Sequence, residues 1–242
     1  LALTEALYDS GASATLRIQA RLRALQAFVD QGDTAAAKDI LLNTPWEIRR
    51  MPELAVLAFA ALQTGDALMM TEDFGDALRC YRLVPPYHQL VQRQRNERER
   101  ASRILAYQQR NASSAMASAW ITFYAGMVAR LEAQLDTLEQ MDDYTPGYLL
   151  RYGQAFLSNG RGREALLVFR DLANDETLPT AIQQQAHYRW ILADFFLRNW
   201  ESTLAVAIQF EERYPESELA PDALYLVAQA YQESELDNDR RS

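Results

Sequence analysis

The chain has 242 residues, 24 basic and 33 acidic side chains and a net charge of −9, and 49% of it is hydrophobic, enough for a large core in one or two domains. Nine Gly and eight Pro are too few for a turn-rich sandwich or barrel, 10% aromatics argues against disorder, and the single Cys excludes an internal disulfide framework and any thiolate zinc site. The longest nearly apolar stretch, Ala115 to Ala129, is about 15 residues where a spanning helix needs roughly 20, and Ser118 and Thr122 lie within it, so a buried helix is expected there.

Helical spacing dominates, and no convincing strand alternation is present. Leu16, Leu22, Leu25 and Phe28–Val29 mark a first helix, closed by the Gln31-Gly32-Asp33 turn. Thr34 to Leu42 forms a second, ended by Asn43-Thr44-Pro45. Pro52 to about Met70 is the third, with Pro52 suited to its first turn, and Phe74 to Val84 the fourth, stopped by Pro85-Pro86. Gln92 to Arg103 then contains almost nothing apolar. Met116, Trp120, Phe123–Tyr124, Met127, Leu131, Leu135, Leu138 and Met141 recur at three and four, a helix of about 25 residues and near 38 Å. Asp142 to Gly147 breaks it. Five segments follow, Tyr148–Ser158, Arg163–Ala173, Pro179–Leu197, Trp200–Arg213 and Leu219–Glu235. Short loops between them require antiparallel neighbours, so the expected architecture is an all-α array of helical hairpins. Its divisions are an N-terminal hairpin region (1–86), long central helices (87–145) and a C-terminal repeat region (146–242).

A period in the low-to-mid thirties accompanies the array. Its clearest unit is Leu149-x-x-Tyr152-Gly153-x-x-Phe156, followed by Gly160, Ala165 and Phe169. Small residues on paired helices let the backbones approach, and large ones a turn away fill the groove; Gly153 with Ala165, and Phe156 with Phe169, suit these roles. Gly65, Ala77 and Tyr81 repeat the register, and Phe28, Gly32, Ala37 and Leu41 do so more loosely. Leu192-Ala193-x-x-Phe196 running into Trp200, and Leu224-x-x-Val227-Ala228-x-x-Tyr231, are further copies.

The pattern resembles the tetratricopeptide repeat. The stretch Tyr214-Pro215-x-Ser217-x-x-Ala220-Pro221-x-Ala223 is similar to the variety in bacterial envelope proteins, the Tol-Pal-associated and barrel-assembly lipoproteins. The likeness covers Tyr148 to Tyr231 well and Leu16 to Pro85 moderately, and leaves out Tyr87 to Met141. Thr203 stands where the small Ala usually sits, and Ala207 where a large residue does. The resemblance implies an α-α superhelix, a protein-binding role, and a periplasmic or outer-membrane-associated setting, with the cytoplasm as the alternative. No charged region followed by an apolar one opens the chain, which begins at Leu1 rather than Met, so its start carries no information about compartment.

Catalytic parts are scarce: His88, His187, Cys80 and one lysine, Lys38. There is no His-Glu-x-x-His and no phosphate-binding glycine motif. Asn159-Gly160-Arg161-Gly162-Arg163 precedes a helix, as an anion loop would, but between paired helices it reads as a hairpin turn. Cys80 reads as a packed thiol, and Asp142-Asp143 as solvated turn residues. Glu72, Asp73 and Asp76 complement a helix dipole. Asn111-Ala112-Ser113 reads as the start of the long helix. No enzyme, metal or cofactor is expected.

Eight Arg and two Glu between Arg79 and Arg110 form the one strongly basic stretch. Arg93–Glu97, Arg95–Glu99 and Glu99–Arg103 are four apart, which suits a self-paired exposed helix. Nucleic acid is disfavoured, because the stretch lacks interleaved aromatics and the chain is acidic.

In stacked hairpins the first helix of each pair lines the concave face. Its residues free of hairpin packing are Leu150, Gln154 and Leu157; then His187, Trp190, Asp194 and Leu197; then Asp222, Tyr225, Gln229 and Gln232. Leu150, Gln154, His187, Trp190, Asp194, Tyr225, Gln229 and Gln232 form the expected partner-binding stripe, for a peptide or protein. The last helix leaves Leu224, Val227 and Tyr231 in need of a cover. The alternative function is therefore a self-assembling subunit using the Met116–Met141 seam and that uncapped helix.

Overall fold

The computed structural model describes residues 14–43, 54–111 and 115–241, with side chains at 14–16, 19, 115–117 and 236–241 set aside. Among the described residues there are eleven helices and no strand. They are α1 (Ala14–Gln31), α2 (Thr34–Leu42), α3 (Leu54–Met70), α4 (Phe74–Tyr81), α5 (Tyr87–Arg110), α6 (Ala115–Glu139), α7 (Thr145–Ser158), α8 (Gly162–Asn174), α9 (Thr180–Phe196), α10 (Trp200–Arg213) and α11 (Ala220–Arg241). None is long and apolar enough to cross a membrane. The expectations at Leu16, Thr44-Pro45, Pro52, Ala112-Ser113 and Met116 fall outside the described residues or side chains.

Local chemistry accounts for the boundaries. Gly32 (φ +72°) and Gly160 (φ +74°) take the left-handed conformation that closes α1 and α7. The Asp33 carboxylate accepts from Ala36 N at 3.0 Å and starts α2. α4 ends at Tyr81, three residues earlier than the spacing suggests. Pro85 disfavours helical backbone at Val84, so the chain leaves through i→i+3 bonds from Leu83 to Cys80 and Val84 to Tyr81. α7 begins before Tyr148, because Pro146 fits a first turn, where its missing N–H costs nothing. Asn111 closes α5 by donating to the Tyr107 carbonyl at 2.8 Å, so it ends one helix instead of starting the next.

Two compact units are present: residues through Met70 with Arg79–Tyr144, and Thr71–Leu78 with Thr145 onward, the division running through α4. In the first unit, α1, α2 and α3 pack on each other and α5 pairs with α6. Leu54, Ala55 and Ala58 of α3 join Leu90, Val91, Leu135 and Leu138 in one cluster. Tyr144 packs beside it against Phe59 and Tyr87, and donates to the Pro85 carbonyl at 2.6 Å. Burial, with Asp143 and Tyr87 nearby, pushes the Tyr144 phenol above its ordinary pKa.

The α5–α6 pair is antiparallel. Tyr87 Oη donates to the Leu138 carbonyl at 2.9 Å, and the buried Gln94 donates to Gln134 Oε1 at 2.9 Å. Arg95 reaches Glu139 at 2.7 Å and Arg98 reaches Glu132 at 3.6 Å. This corrects the self-paired reading of the basic stretch. Arg95 pairs across the hairpin and not with Glu99, and Arg103 makes no ion pair among the described residues.

In the second unit consecutive helices α7 through α11 pack in order, and α7 also meets α9, as α9 meets α11. Where hairpins close, small residues admit large ones. A Cβ built on Gly153 would lie 2.5 Å from Phe169 Cε1, and one on Gly65 would lie 2.7 Å from Tyr81 Cε1 in the first unit. The two glycines thus receive rings 16 residues later. The Tyr81 hydroxyl donates to Asp66 Oδ1 at 2.7 Å, and Phe169 has no exposed surface. Thr203, the departure from the repeat pattern, is fully buried, with its hydroxyl donating to the Asn199 carbonyl at 3.0 Å.

Candidate functional site

The stripe read from the sequence lies on α7, α9 and α11, and its members have different surroundings. Leu150 is buried within α7's packing surface. Gln154 is half-buried and accepts from Arg189 Nη1 of α9, while its own amide donates to Ser158 at 3.2 Å. Tyr225 on α11 is 63% exposed and receives a hydrogen bond from the Gln229 amide at 3.0 Å. Gln232 is exposed as well.

His187, Trp190 and Asp194 belong to the interior and rim of α9. The His187 ring stacks on Trp190 at 5.5 Å and meets the edges of Phe210 and Tyr214 from α10 at 5.5 and 5.9 Å. It is buried, and neither ring nitrogen has a hydrogen-bond partner among the described residues. Loss of water, followed by the nearby Arg213 guanidinium, pushes its pKa down to about 4, while the Val206 backbone acts weakly in the opposite direction. The imidazole is therefore neutral at pH 7. Asp194 is 1% exposed. Its carboxylate accepts from Trp190 Nε1 at 2.9 Å, Ser202 Oγ at 2.7 Å and Asn199 Nδ2 at 2.9 Å. Those bonds tie α9 to the start of α10 across a tight turn in which Arg198 holds φ at +58°. Leu150, His187 and Asp194 are thus packing residues as the helices stand, and Trp190, half-buried, has its one donor engaged.

A groove of about 580 Å³ runs beside that stripe. Ala181, Gln184, Gln185, Tyr188, Arg189 and Leu192 of α9 line one wall, and Glu216, Ser217, Glu218 and Leu219, in the turn before α11, line the other. Arg189 bonds Gln154, and burial lowers its pKa from the ordinary arginine value. It has no carboxylate partner among the described residues. Burial, with Asp222 nearby, raises the Tyr188 phenol. The groove can hold an extended chain, with Arg189, Gln184 and Gln185 as donors and Tyr188 and Leu192 as apolar floor. Sequence reading missed this wall, although Ala181, Gln185, Tyr188 and Leu192 follow helical spacing one step around α9 from His187 and Asp194.

The remaining candidates have plain surroundings. Asn159 to Arg163 is a hairpin turn, in which Arg161 pairs with Glu164 at 2.7 Å and lies 4.7 Å over the Phe156 ring. That pairing, with the backbone bond at Glu164, lowers the Glu164 pKa. Cys80 is buried, and Asp142 and Asp143 are exposed. Among the described residues no cluster of three or more His, Cys, Asp or Glu could hold a metal. No protein-family model, curated protein or solved structure matches this chain.

Proposed function

We propose that this chain is a non-enzymatic interaction scaffold of tetratricopeptide-like hairpins that binds a peptide or protein partner along the row α7, α9 and α11. The groove beside α9 carries this reading. It is long enough for several residues of extended chain and mixes ring and aliphatic surface with unshared donors. Its walls belong to packed helices, so a partner would lose its own freedom without ordering the scaffold. The exposed Tyr225 and Gln232, with the half-buried Gln229 between them, extend the surface onto α11. The Tyr214-to-Ala223 likeness supports a setting in the bacterial periplasm or at the outer membrane.

Site-specific photocrosslinking tests the reading. A benzophenone side chain at Gln185 or Tyr225 should capture one and the same protein in cells. The same group at Leu167 or Ile208, exposed on α8 and α10, should not. Capture only from Leu167 or Ile208 would reject the chosen face.

The second reading, a self-assembling subunit, is favoured by α11, whose Leu224 and Tyr231 are 48% and 57% exposed. The long α6 seam contributes less to it, because Leu131, Leu135 and Leu138 are already buried. A mass that rises with concentration and falls on Leu224→Ser with Tyr231→Ser would support it.

A further inference from the structure

The far end of the α5–α6 hairpin has a composition unlike the rest of the chain. Between Arg100 and Leu131 there are four arginines and no carboxylate, so all 33 acidic side chains of this −9 protein lie elsewhere. Arg100, Arg103, Arg110 and Arg130 are exposed and make no ion pair among the described residues. Among the described residues Arg110 bonds the Ala106 carbonyl of its own helix, at 3.3 Å.

Large rings are exposed in the same region. Trp120 is 46% exposed, Phe123 41% and Tyr107 64%. Trp120 and Tyr124 stack at 6.0 Å, and Phe123 meets both edge-on, at 5.9 and 5.3 Å. Continuing the register of the pairs Gln94–Gln134 and Arg98–Glu132 brings Tyr107 level with Phe123 and Arg110 level with Trp120. Among the described residues, the near end of the hairpin, at Leu90, Val91, Leu135 and Leu138, joins the cluster with α3. From Val91 to Tyr107 is about 24 Å of helix, more than two Debye lengths in physiological salt.

We infer that this end docks on an anionic lipid surface, with the rings of Trp120, Phe123 and Tyr107 at the headgroup level and the four arginines against the phosphates. Charge chooses the occupant. An unpaired positive end on an acidic protein attracts a negative surface, and a second copy placed end to end would oppose four arginines with four. Tryptophan and tyrosine beside arginine are the residues that favour a membrane–water boundary. Nucleic acid fits less well, because Trp120 and Tyr124 stack on each other, which occupies ring faces a base would need. The inference is independent of the groove on α9.

The full chain would be sedimented with vesicles of phosphatidylcholine alone and of phosphatidylcholine with phosphatidylglycerol. Binding should require phosphatidylglycerol, weaken as salt is raised, and fall by about tenfold for both Trp120→Ala/Phe123→Ala and Arg103→Gln/Arg110→Gln. Brominated lipid should quench tryptophan fluorescence in the wild type and much less in the Trp120→Ala pair. Circular dichroism accompanies each variant, and if the aromatic pair loses helicity, the arginine pair decides. Failure to sediment with phosphatidylglycerol vesicles would overturn the inference, as would binding unchanged by the arginine pair. Tight binding of oligothymidine in place of vesicles would overturn it in favour of nucleic acid. A dimer dissolved by the same substitutions would overturn it in favour of a second copy.

Discussion

Gly153→Ala tests the hairpin packing directly. The added methyl would sit 2.5 Å from Phe169 Cε1, 2.9 Å from Cζ and 3.0 Å from Cδ1. Carbon atoms in a packed interior need about 3.5 Å or more, so the ring or the helix must move by roughly 1 Å. Phe169 has no exposed surface, and interiors packed at crystal density have no vacancy to receive it. Overpacking of this kind costs about 1–3 kcal/mol, against which alanine returns up to about 1 kcal/mol of helix propensity. The net expectation is a loss of about 1–2 kcal/mol, read as a lower denaturant midpoint at unchanged m. Gly147→Ala in the same helix is the control. Nothing lies within 4 Å of its Cβ position, so it should be neutral or stabilising by up to about 0.5 kcal/mol. Phe169→Leu placed in the Gly153→Ala background should cost less than the two changes added separately, because the smaller side chain vacates the contact. If Gly153→Ala proves as stable as Gly147→Ala, α7 and α8 do not approach as described, and the steric basis of the repeat fails with them.

Two further predictions concern residues of the expected stripe. Asp194→Ala should cost roughly 2–3 kcal/mol, because a buried carboxylate with three donors is removed and the Trp190, Ser202 and Asn199 donors are left behind; the Trp190 emission should also change, and unaltered stability would refute the role. His187 is held neutral in the fold, with a pKa below its ordinary value, so its contribution to stability is complete above about pH 6.5 and is lost as pH falls toward 4. The interval corresponds to at most roughly 3 kcal/mol, most of it from the lost hydration of the ring and less from Arg213. His187→Phe should flatten the stability profile between pH 6.5 and 4, and an unchanged slope would refute the assignment.

The helices were legible because amphipathic spacing and turn chemistry coincide along most of the chain. Gly32 and Gly160 close helices, Pro85-Pro86 closes a segment, and the small–large register at Gly153 and Gly65 fixes where hairpins meet. The errors have local causes. Val84 fell outside α4 because the restriction from Pro85 acts one residue before the proline. The break between α6 and α7 is present but shorter than the spacing predicts, because Pro146 sits in the first turn of α7, which accepts a proline. The basic stretch was harder. Spacing along one helix suggests pairs four apart, but Arg95 and Arg98 instead find Glu139 and Glu132 about forty residues away, partners that appear only once α5 and α6 align.

The partner stripe illustrates a different limit. Positions spaced three, four and seven apart identify a face of a helix but not what stands in front of it. In an array of hairpins, an interior first helix such as α9 packs on α7, α8, α10 and α11, whereas the packing of α11 among the described residues is chiefly on α9 and α10. The same face is therefore buried at His187 and Asp194 and open at Tyr225 and Gln232. What remains accessible on α9 is the next stripe around, where Tyr188 and Arg189 border the groove. A half-buried arginine whose described partner is a neutral amide is a more informative feature there than an exposed ring. Burial has already removed much of its water, so a partner that supplies an oxygen gains a hydrogen bond without paying again for that desolvation. Recognition on this surface therefore depends on which donors packing leaves unshared, and those donors are determined by the helices on either side of α9 as much as by the sequence of α9 itself.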